Sequence, residues 1–152
     1  MSDPTNCGIE SLIDRLDGSG SEDNWAAAQE LRSELGESLP DRLLLRYPTT
    51  KRWAARTALV YHCIRYASTS TAATDLALLA LADKSRAVRY RACMLLACSQ
   101  RRDLVPKLQV AAERVPPDTK ADLMAAIDAI ESENQDYFVD RDHSGMVFLV
   151  IH

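Results

Sequence analysis

Arginine residues dominate the part of the sequence whose side chains could bind a ligand. A guanidinium group is planar and permanently charged, and it holds a carboxylate or a phosphate through two parallel hydrogen bonds. Two predicted helices and the corner after the second one carry these arginines, so their side chains would converge on one surface if the helices are neighbours. The arginines are Arg52, Arg56, Arg86, Arg89, Arg91, Arg101 and Arg102. We therefore predict a basic surface that binds an anionic partner.

Aromatic residues accompany the arginines. Tyr90 lies between Arg89 and Arg91, and tyrosine and tryptophan often anchor protein interfaces because they bury a large area. Trp25 and Trp53 are also candidate anchors, although their equivalent places in the repeats described below favour the core for both. The predicted partner-binding residues are Arg52, Arg56, Arg86, Arg89, Arg91 and Tyr90.

Charge is divided unevenly along the chain. Residues 41–107 contain 13 Lys and Arg against 4 Asp and Glu, a net charge of +9, while the remaining residues have a net charge of −13. A basic centre favours an acidic protein or a nucleic acid as the partner. The total charge of −4 and the isoelectric point near 5.3 argue against nucleic acid. We therefore expect an acidic partner protein first and nucleic acid second.

One loop near the end of the chain carries oxygen-bearing side chains at the spacing of a calcium site. Asp140, Asp142 and Ser144 match the first, third and fifth ligand positions of an EF-hand loop, and Gly145 matches its glycine. The last ligand position holds Ile151, which cannot supply the carboxylate that closes the shell. A hairpin turn explains the same residues. We expect that the protein binds neither a metal nor a cofactor. If a metal does bind, Asp140, Asp142 and Ser144 are its candidate ligands.

Familiar catalytic motifs are missing from the sequence. It contains no glycine-rich phosphate loop, no G-x-S-x-G elbow and no H-E-x-x-H pair. Cys63, Cys93 and Cys98 lie in apolar helical contexts, where a buried thiol acts as a small apolar side chain. His62 fits a structural role on a helix. The sequence therefore predicts a protein that is not an enzyme.

The candidate binding residues must be positioned by helices. The sequence has only 5 Gly and 6 Pro among 152 residues, so few positions would interrupt a helix. Within 81–99, apolar and small residues recur at helical spacing, and shifts of about 34 residues in either direction find weaker copies of this stretch. A last, shorter step sets Trp53 and Leu59 over Trp25 and Leu31. The copies predict eight short helices in four antiparallel pairs. The second helices begin near Asn24, Lys51, Arg86 and Lys120, and the first helices cover 9–16, 39–47, 73–82 and 104–114.

The third pair resembles a HEAT repeat. Asp83, Val88, Arg89, Ala92 and Leu96 form the pattern D-x4-V-R-x2-A-x3-L of the inner half of that repeat, and the segment 104–108 resembles its proline-bearing first helix. The resemblance covers residues 22–133 and implies an all-α fold, a right-handed α-solenoid of about four helix pairs. It also implies a ladder contact between Arg89 and Asp83. HEAT-like proteins include scaffolds, inhibitors, lyases and DNA glycosylases, so the fold alone does not choose a function.

The end of the chain differs in composition from the helical body. Aromatic and β-branched residues at 136–140 and 146–151 flank the loop 141–145, which predicts a short C-terminal β-hairpin. The second strand is too apolar to be exposed on both faces, so it must pack on the last helices or pair with another strand. We predict a flexible arm over 1–8, a HEAT-like domain over 9–133, and the hairpin over 134–152, packed on the last repeat.

These features predict a non-enzymatic module that binds an acidic partner protein. A compact repeat protein with divided charge and a C-terminal hairpin resembles bacterial immunity proteins, which cap the active site of a toxin. The alternatives are a nucleic-acid-binding protein similar to HEAT-like DNA glycosylases, and an adaptor or lyase subunit that acts on a partner protein. We expect a cytoplasmic protein without a membrane partner, because the sequence lacks a long apolar run and a signal peptide.

Overall fold

The computed structural model describes residues 4–152, with side chains described from Asn6 onward, and this part of the chain is all-α. The prediction of an all-helical body is confirmed, and each predicted helix overlaps an observed one. The described helices are α1 (Pro4–Asp14), α2 (Glu22–Leu35), α3 (Leu39–Arg46), α4 (Trp53–Tyr61), α5 (Thr71–Ala80), α6 (Arg86–Ser99), α7 (Val105–Ala112) and α8 (Pro117–Glu131). α1 begins at Pro4, within the segment predicted as an arm, and residues 1–3 lie outside the described part.

Local signals explain where several helices begin and end. The Ser21 and Ser70 hydroxyls accept the Asn24 and Ala73 N–H groups at 3.2 Å and 3.1 Å, which caps α2 and α5. Proline occupies the first turn of α3, α7 and α8, where no helical N–H partner is lost. Gly36 ends α2 with a φ of 53°, a backbone conformation that favours glycine. The helix boundaries therefore follow from cap chemistry that is visible in the sequence.

α6 is the centre of the packing. It contacts α4, α5 and α8, while α3 packs on α5, α7 on α8 and α1 on α2. Its buried face contains Val88, Ala92, Leu95, Leu96 and Ser99, which is the face predicted from the helical spacing. Cys63, Cys93 and Cys98 are also buried, as predicted, and burial raises the pKa of the Cys93 and Cys98 thiols to about 12.

The C-terminal segment follows a different course from the predicted hairpin, because no β-strand occurs in residues 4–152. Phe138, fully buried, ends a single 3-10 turn over Gln135–Phe138. Arg141 then donates to the Asp122 carboxylate at 2.9 Å and to the Phe138 carbonyl at 2.9 Å, which ties the segment to α8. The Asp136 carboxylate accepts the Leu149 N–H at 2.9 Å. These side-chain contacts take the place of strand pairing, and the hairpin prediction is corrected accordingly.

The helices of residues 4–152 are all too short or too polar to cross a lipid bilayer.

Candidate functional site

Arg56, a predicted binding residue, is committed to a contact between helices. Its Nε and Nη2 donate to the two carboxylate oxygens of Asp83 at 2.7 Å and 3.1 Å, and the Tyr47 hydroxyl donates to the same carboxylate. The Arg56 and Asp83 side chains are only 13% and 4% exposed. This ion pair joins α4 to the turn between α5 and α6. Arg56 therefore stabilises the fold and is removed from the binding surface.

Arg89 is also buried, with 8% of its surface exposed. Its Nε donates to the Thr119 hydroxyl at 2.7 Å, and its Nη1 donates to the main-chain carbonyl of Asp83 at 2.8 Å. The contact to Asp83 that the HEAT resemblance implied is thus made through the backbone, because Arg56 and Tyr47 occupy the Asp83 carboxylate. Arg89 joins the turn before α6 to α8.

The titration of Asp83 reflects these contacts. Burial raises the pKa of its carboxyl, but hydrogen bonds from Arg56, Tyr47 and the Ser85 N–H outweigh that effect and hold the pKa below 3.8. Burial and the neighbouring Asp83 carboxylate raise the pKa of Tyr47. The carboxylate is therefore charged and the phenol neutral across the physiological pH range. We refer to Tyr47, Arg56, Asp83 and Arg89 as the Asp83 cluster.

The other predicted residues meet at the surface between α4 and α6. Trp53, Arg86, Tyr90 and Arg91 line a depression of about 640 Å³, which we call the α4–α6 face. Trp53 is 56% exposed and the Arg86 side chain is 69% exposed. Arg86 Nε lies 3.3 Å from Asp118 Oδ2. Arg52 precedes α4 at the edge of this face and is exposed. Its carbonyl accepts the Arg56 N–H at 3.0 Å, while its side chain makes no hydrogen bond or ion pair with residues 4–152.

Arg91 is held in place by aromatic rings. Its guanidinium carbon lies 5.1 Å from the centre of the Tyr61 ring and 5.7 Å from that of Tyr90, and its Nη1 is 3.4 Å from the Met94 sulfur. A cation at this distance is attracted to the ring and loses little mobility when it binds an anion. Arg91 is therefore a preorganised anion-binding group on the face.

A second, smaller depression of about 350 Å³ adjoins the face and shares Arg91 with it. Trp25 and Tyr61 form its aromatic wall, with ring centres 6.1 Å apart in an edge-to-face arrangement. Val150 and His152 of the C-terminal segment line the same depression, and the His152 N–H donates to the Tyr61 hydroxyl at 3.2 Å. The last residues of the described chain thus border the candidate surface.

His62 lies beneath this aromatic wall, with its ring 5.5 Å from those of Trp25 and Tyr61. Burial lowers the pKa of His62 to about 4, and the charges of Arg32 and Arg65 act in the same direction. The imidazole is therefore neutral at physiological pH. Its packing against aromatic rings agrees with the structural role predicted for it.

The two tryptophans correct one expectation. The repeat alignment favoured core positions, but Trp25 is 38% exposed and Trp53 is 56% exposed. Both lie in the first turn of their helices. Tyr61 and the C-terminal residues were missing from the predicted site altogether. The signal that could have identified Tyr61 is its spacing of eight residues from Trp53, which predicts the same side of α4.

Arg101 and Arg102 lie in the corner between α6 and α7, outside the α4–α6 face. Arg101 donates to Asp103 at 2.8 Å and to the Thr74 hydroxyl at 3.0 Å. Arg102 donates to the Glu131 carbonyl at 3.1 Å. Arg101 therefore joins the α6–α7 corner to α5, whereas Arg102 is 66% exposed and lies beside the end of α8, away from the α4–α6 face. Of the arginines considered, Arg52, Arg86 and Arg91 remain for a partner.

The loop that resembles a calcium site uses its aspartate to shape the backbone. The Asp140 carboxylate accepts the Ser144 N–H at 3.0 Å, the Ser144 hydroxyl at 2.7 Å and the Gly145 N–H at 2.8 Å. These bonds lower the pKa of Asp140, and Gly145 adopts a φ of 77°. Asp142 is exposed. Within the described part of the chain, no three His, Cys, Asp or Glu side chains are grouped so that they could hold a metal ion.

No protein-family model matches the chain, and no curated protein and no solved structure shows significant similarity to it. Function must therefore be inferred from the residues and their geometry.

Proposed function

We propose that the chain is a non-enzymatic protein-binding module that grips an acidic partner protein through the α4–α6 face. The observation that carries this proposal is the meeting of exposed Trp53 and Arg86 with half-buried Tyr90 and Arg91 around one depression. Tryptophan, tyrosine and arginine are the residues that most often dominate the binding energy of an interface. A surface that combines all three is well suited to a protein partner.

The charge of the face favours an acidic partner. Arg52 and Arg91 make no ion pair within residues 4–152, and Arg86 shares the partly exposed Asp118 with Arg89. A guanidinium group donates hydrogen bonds but does not give up its proton in proteins. The face therefore offers charge and directional hydrogen bonds to a carboxylate instead of acid–base catalysis, which supports a binding role.

We also propose that the helix pairs stack as a HEAT-like, right-handed solenoid. Support comes from the second helices, among which α4 packs on α6 and α6 on α8, and from the first helices, among which α3 packs on α5. In such a stack the second helices line the inner surface. The α4–α6 face would then lie on the concave side, where a partner is surrounded by several helices.

The biological role that we propose is that of a cytoplasmic bacterial immunity protein, which binds a toxin domain and covers its active site. The resemblance noted in the sequence supports this role, and an acidic surface on the toxin would complement Arg52, Arg86 and Arg91. The α4–α6 face and the adjoining Trp25–Tyr61 wall together provide a continuous aromatic and basic area for such a contact.

Affinity capture tests the binding role. The tagged chain and its Arg52→Gln/Arg86→Gln/Arg91→Gln variant are used to capture proteins and nucleic acids from a lysate of the source organism. Arg56 is left unchanged, because its pair with Asp83 supports the fold. We expect one stoichiometric protein to be retained by the wild type and lost from the variant. The control is Lys51→Gln/Arg65→Gln, which removes two exposed charges that line neither depression of this surface.

The captured protein must then be inhibited by the wild-type chain for the immunity role to hold. Equal capture by the wild type and the variant would remove the α4–α6 face from the interface. Retained nucleic acid without a stoichiometric protein would instead favour the second candidate, nucleic-acid binding. Arginine beside exposed aromatic rings can stack and neutralise a single strand, and affinity would then fall steeply with salt.

A further inference from the structure

The first helices leave a groove between α5 and α7. α5 packs on α3 and α6, and α7 packs on α8, but α5 and α7 are not closely packed on each other. A groove of about 730 Å³ occupies the space between them. The groove is lined mainly by α5, α7 and the turns that follow them, whereas the α4–α6 face is lined by α4 and α6. A ligand of the groove is therefore distinct from the function proposed above.

The walls of the groove are apolar. Leu78 lines it from α5 and Leu81 from the residue that follows α5, and Val110 and Ala111 line it from α7. Val110 is 56% exposed although it faces the space between two helices. Exposed apolar side chains that line a groove commonly mark the place where a partner binds.

The rim of the groove is basic. Lys107 lies on α7 and Arg114 lies in the turn just after α7 ends, so a cation lies on each side of Val110 and Ala111. Seven positions at the helical rise separate the two cations by about 10 Å. Lys84 lines the opposite wall. The side chains of Lys84, Lys107 and Arg114 belong to exposed residues and make no hydrogen bond or ion pair with residues 4–152.

Negative charge is scarce in the groove. Asp83 is the carboxylate among its lining residues, and that carboxylate is already bound by Arg56 and Tyr47. The three cations therefore make no ion pair within the described chain, and an occupant with acidic groups would supply partners for them.

We propose that this groove binds an amphipathic, acidic α-helix of a partner protein. A helix that carries two acidic residues two turns apart places them about 10 Å from each other, which matches the separation of Lys107 and Arg114. Apolar residues on the turn between them would then meet Val110 and Leu78. Laid in the groove, the helix fills the gap between α5 and α7, in the way that amphipathic helices occupy grooves in other proteins.

A pair of synthetic helical peptides tests the proposal. One carries two glutamates two turns apart with two leucines on the intervening turn, and the other has lysines in place of both glutamates. Each is titrated into the isotope-labelled full chain, and binding is followed by the amide signals of the groove. We expect the glutamate peptide to shift the signals of Leu78, Val110 and Ala111 and to bind at least about tenfold more tightly than the lysine peptide.

A charge swap provides the decisive control. In Lys107→Glu/Arg114→Glu the preference should reverse, so that the lysine peptide binds more tightly than the glutamate peptide. Lys51→Glu/Arg65→Glu makes the same change of charge at two exposed sites outside the groove and the α4–α6 face, and should keep the wild-type preference. The proposal is overturned if the wild type binds neither peptide, if it binds both equally, or if the swap does not reverse the preference.

Discussion

In the Asp83 cluster, the guanidinium groups are buried and hydrogen-bonded to atoms of the chain itself, whereas on the α4–α6 face the arginines are exposed or half-buried and make few hydrogen bonds. Arg56 and Arg89 find a carboxylate, carbonyls and a hydroxyl within reach. Arg91 has aromatic rings and a sulfur as neighbours. Burial of a charge is tolerated only where it is paired. The position of acceptors, and not the residue type, therefore separates structural arginines from those available to a partner.

Removing the carboxylate from the Asp83 cluster should have the largest effect on stability. Asp83→Asn leaves the buried Arg56 charge uncompensated, so we expect the free energy of unfolding to fall by about 3–5 kcal/mol. Urea denaturation measures this change, with Asp103→Asn as the control. Asp103 pairs with Arg101 at the surface, and its loss should cost less than about 1 kcal/mol. Similar costs for both variants would remove the distinction between buried and exposed pairs.

As the pH is lowered, protonation of His62 should destabilise the protein before protonation of Asp83 does. The folded pKa of His62, beside the α4–α6 face, is about 4, against an ordinary value of 6.5. Between these values the unfolded state binds more protons than the folded state, so stability falls as the pH is lowered through this window, by about 3 kcal/mol in all. The pKa of Asp83 lies below 3.8, so the contribution of its carboxylate is lost only at lower pH.

Denaturation at a series of pH values in this window tests the prediction, with His62→Gln as the comparison. The variant has no imidazole to protonate, so its stability should change less between about pH 6.5 and about pH 4 than that of the wild type. Parallel pH profiles for the two proteins would show that His62 does not cause the loss.

The helices were predictable because their signals are local. Hydrophobic spacing and capping residues act within one or two turns, and they located α6 and its buried face from Val88 to Ser99. The C-terminal hairpin was not predictable in the same way. Its residues favour strands, but burial of Phe138 and the bonds that Arg141 makes to Asp122 and Phe138 override that preference.

Which predicted arginines support the fold and which are available to a partner depends on contacts between residues that are distant in the sequence. Arg56 and Asp83 are 27 positions apart, and no spacing rule indicates that they meet. Arg86, Tyr90 and Arg91 could be placed on one surface because they share a helix. The exposure of Trp25 and Trp53 depends on how α2 and α4 rotate against their neighbours, which short-range patterns do not determine.

The smallest effect on stability is expected from an arginine of the α4–α6 face. Arg86 and Arg89 lie on the same helix and both approach Asp118, at 3.3 Å and 3.8 Å. Arg86→Gln removes a mostly exposed side chain and leaves Asp118 beside Arg89, so the free energy of unfolding should change by less than about 1 kcal/mol. Arg89→Gln leaves the Thr119 hydroxyl and the Asp83 carbonyl without their donor, at a cost of about 2 kcal/mol or more. Urea denaturation of both variants measures the difference. If Arg86→Gln proved as costly as Arg89→Gln, Arg86 would belong with the structural arginines, and a loss of partner capture in its variants could no longer be assigned to the interface.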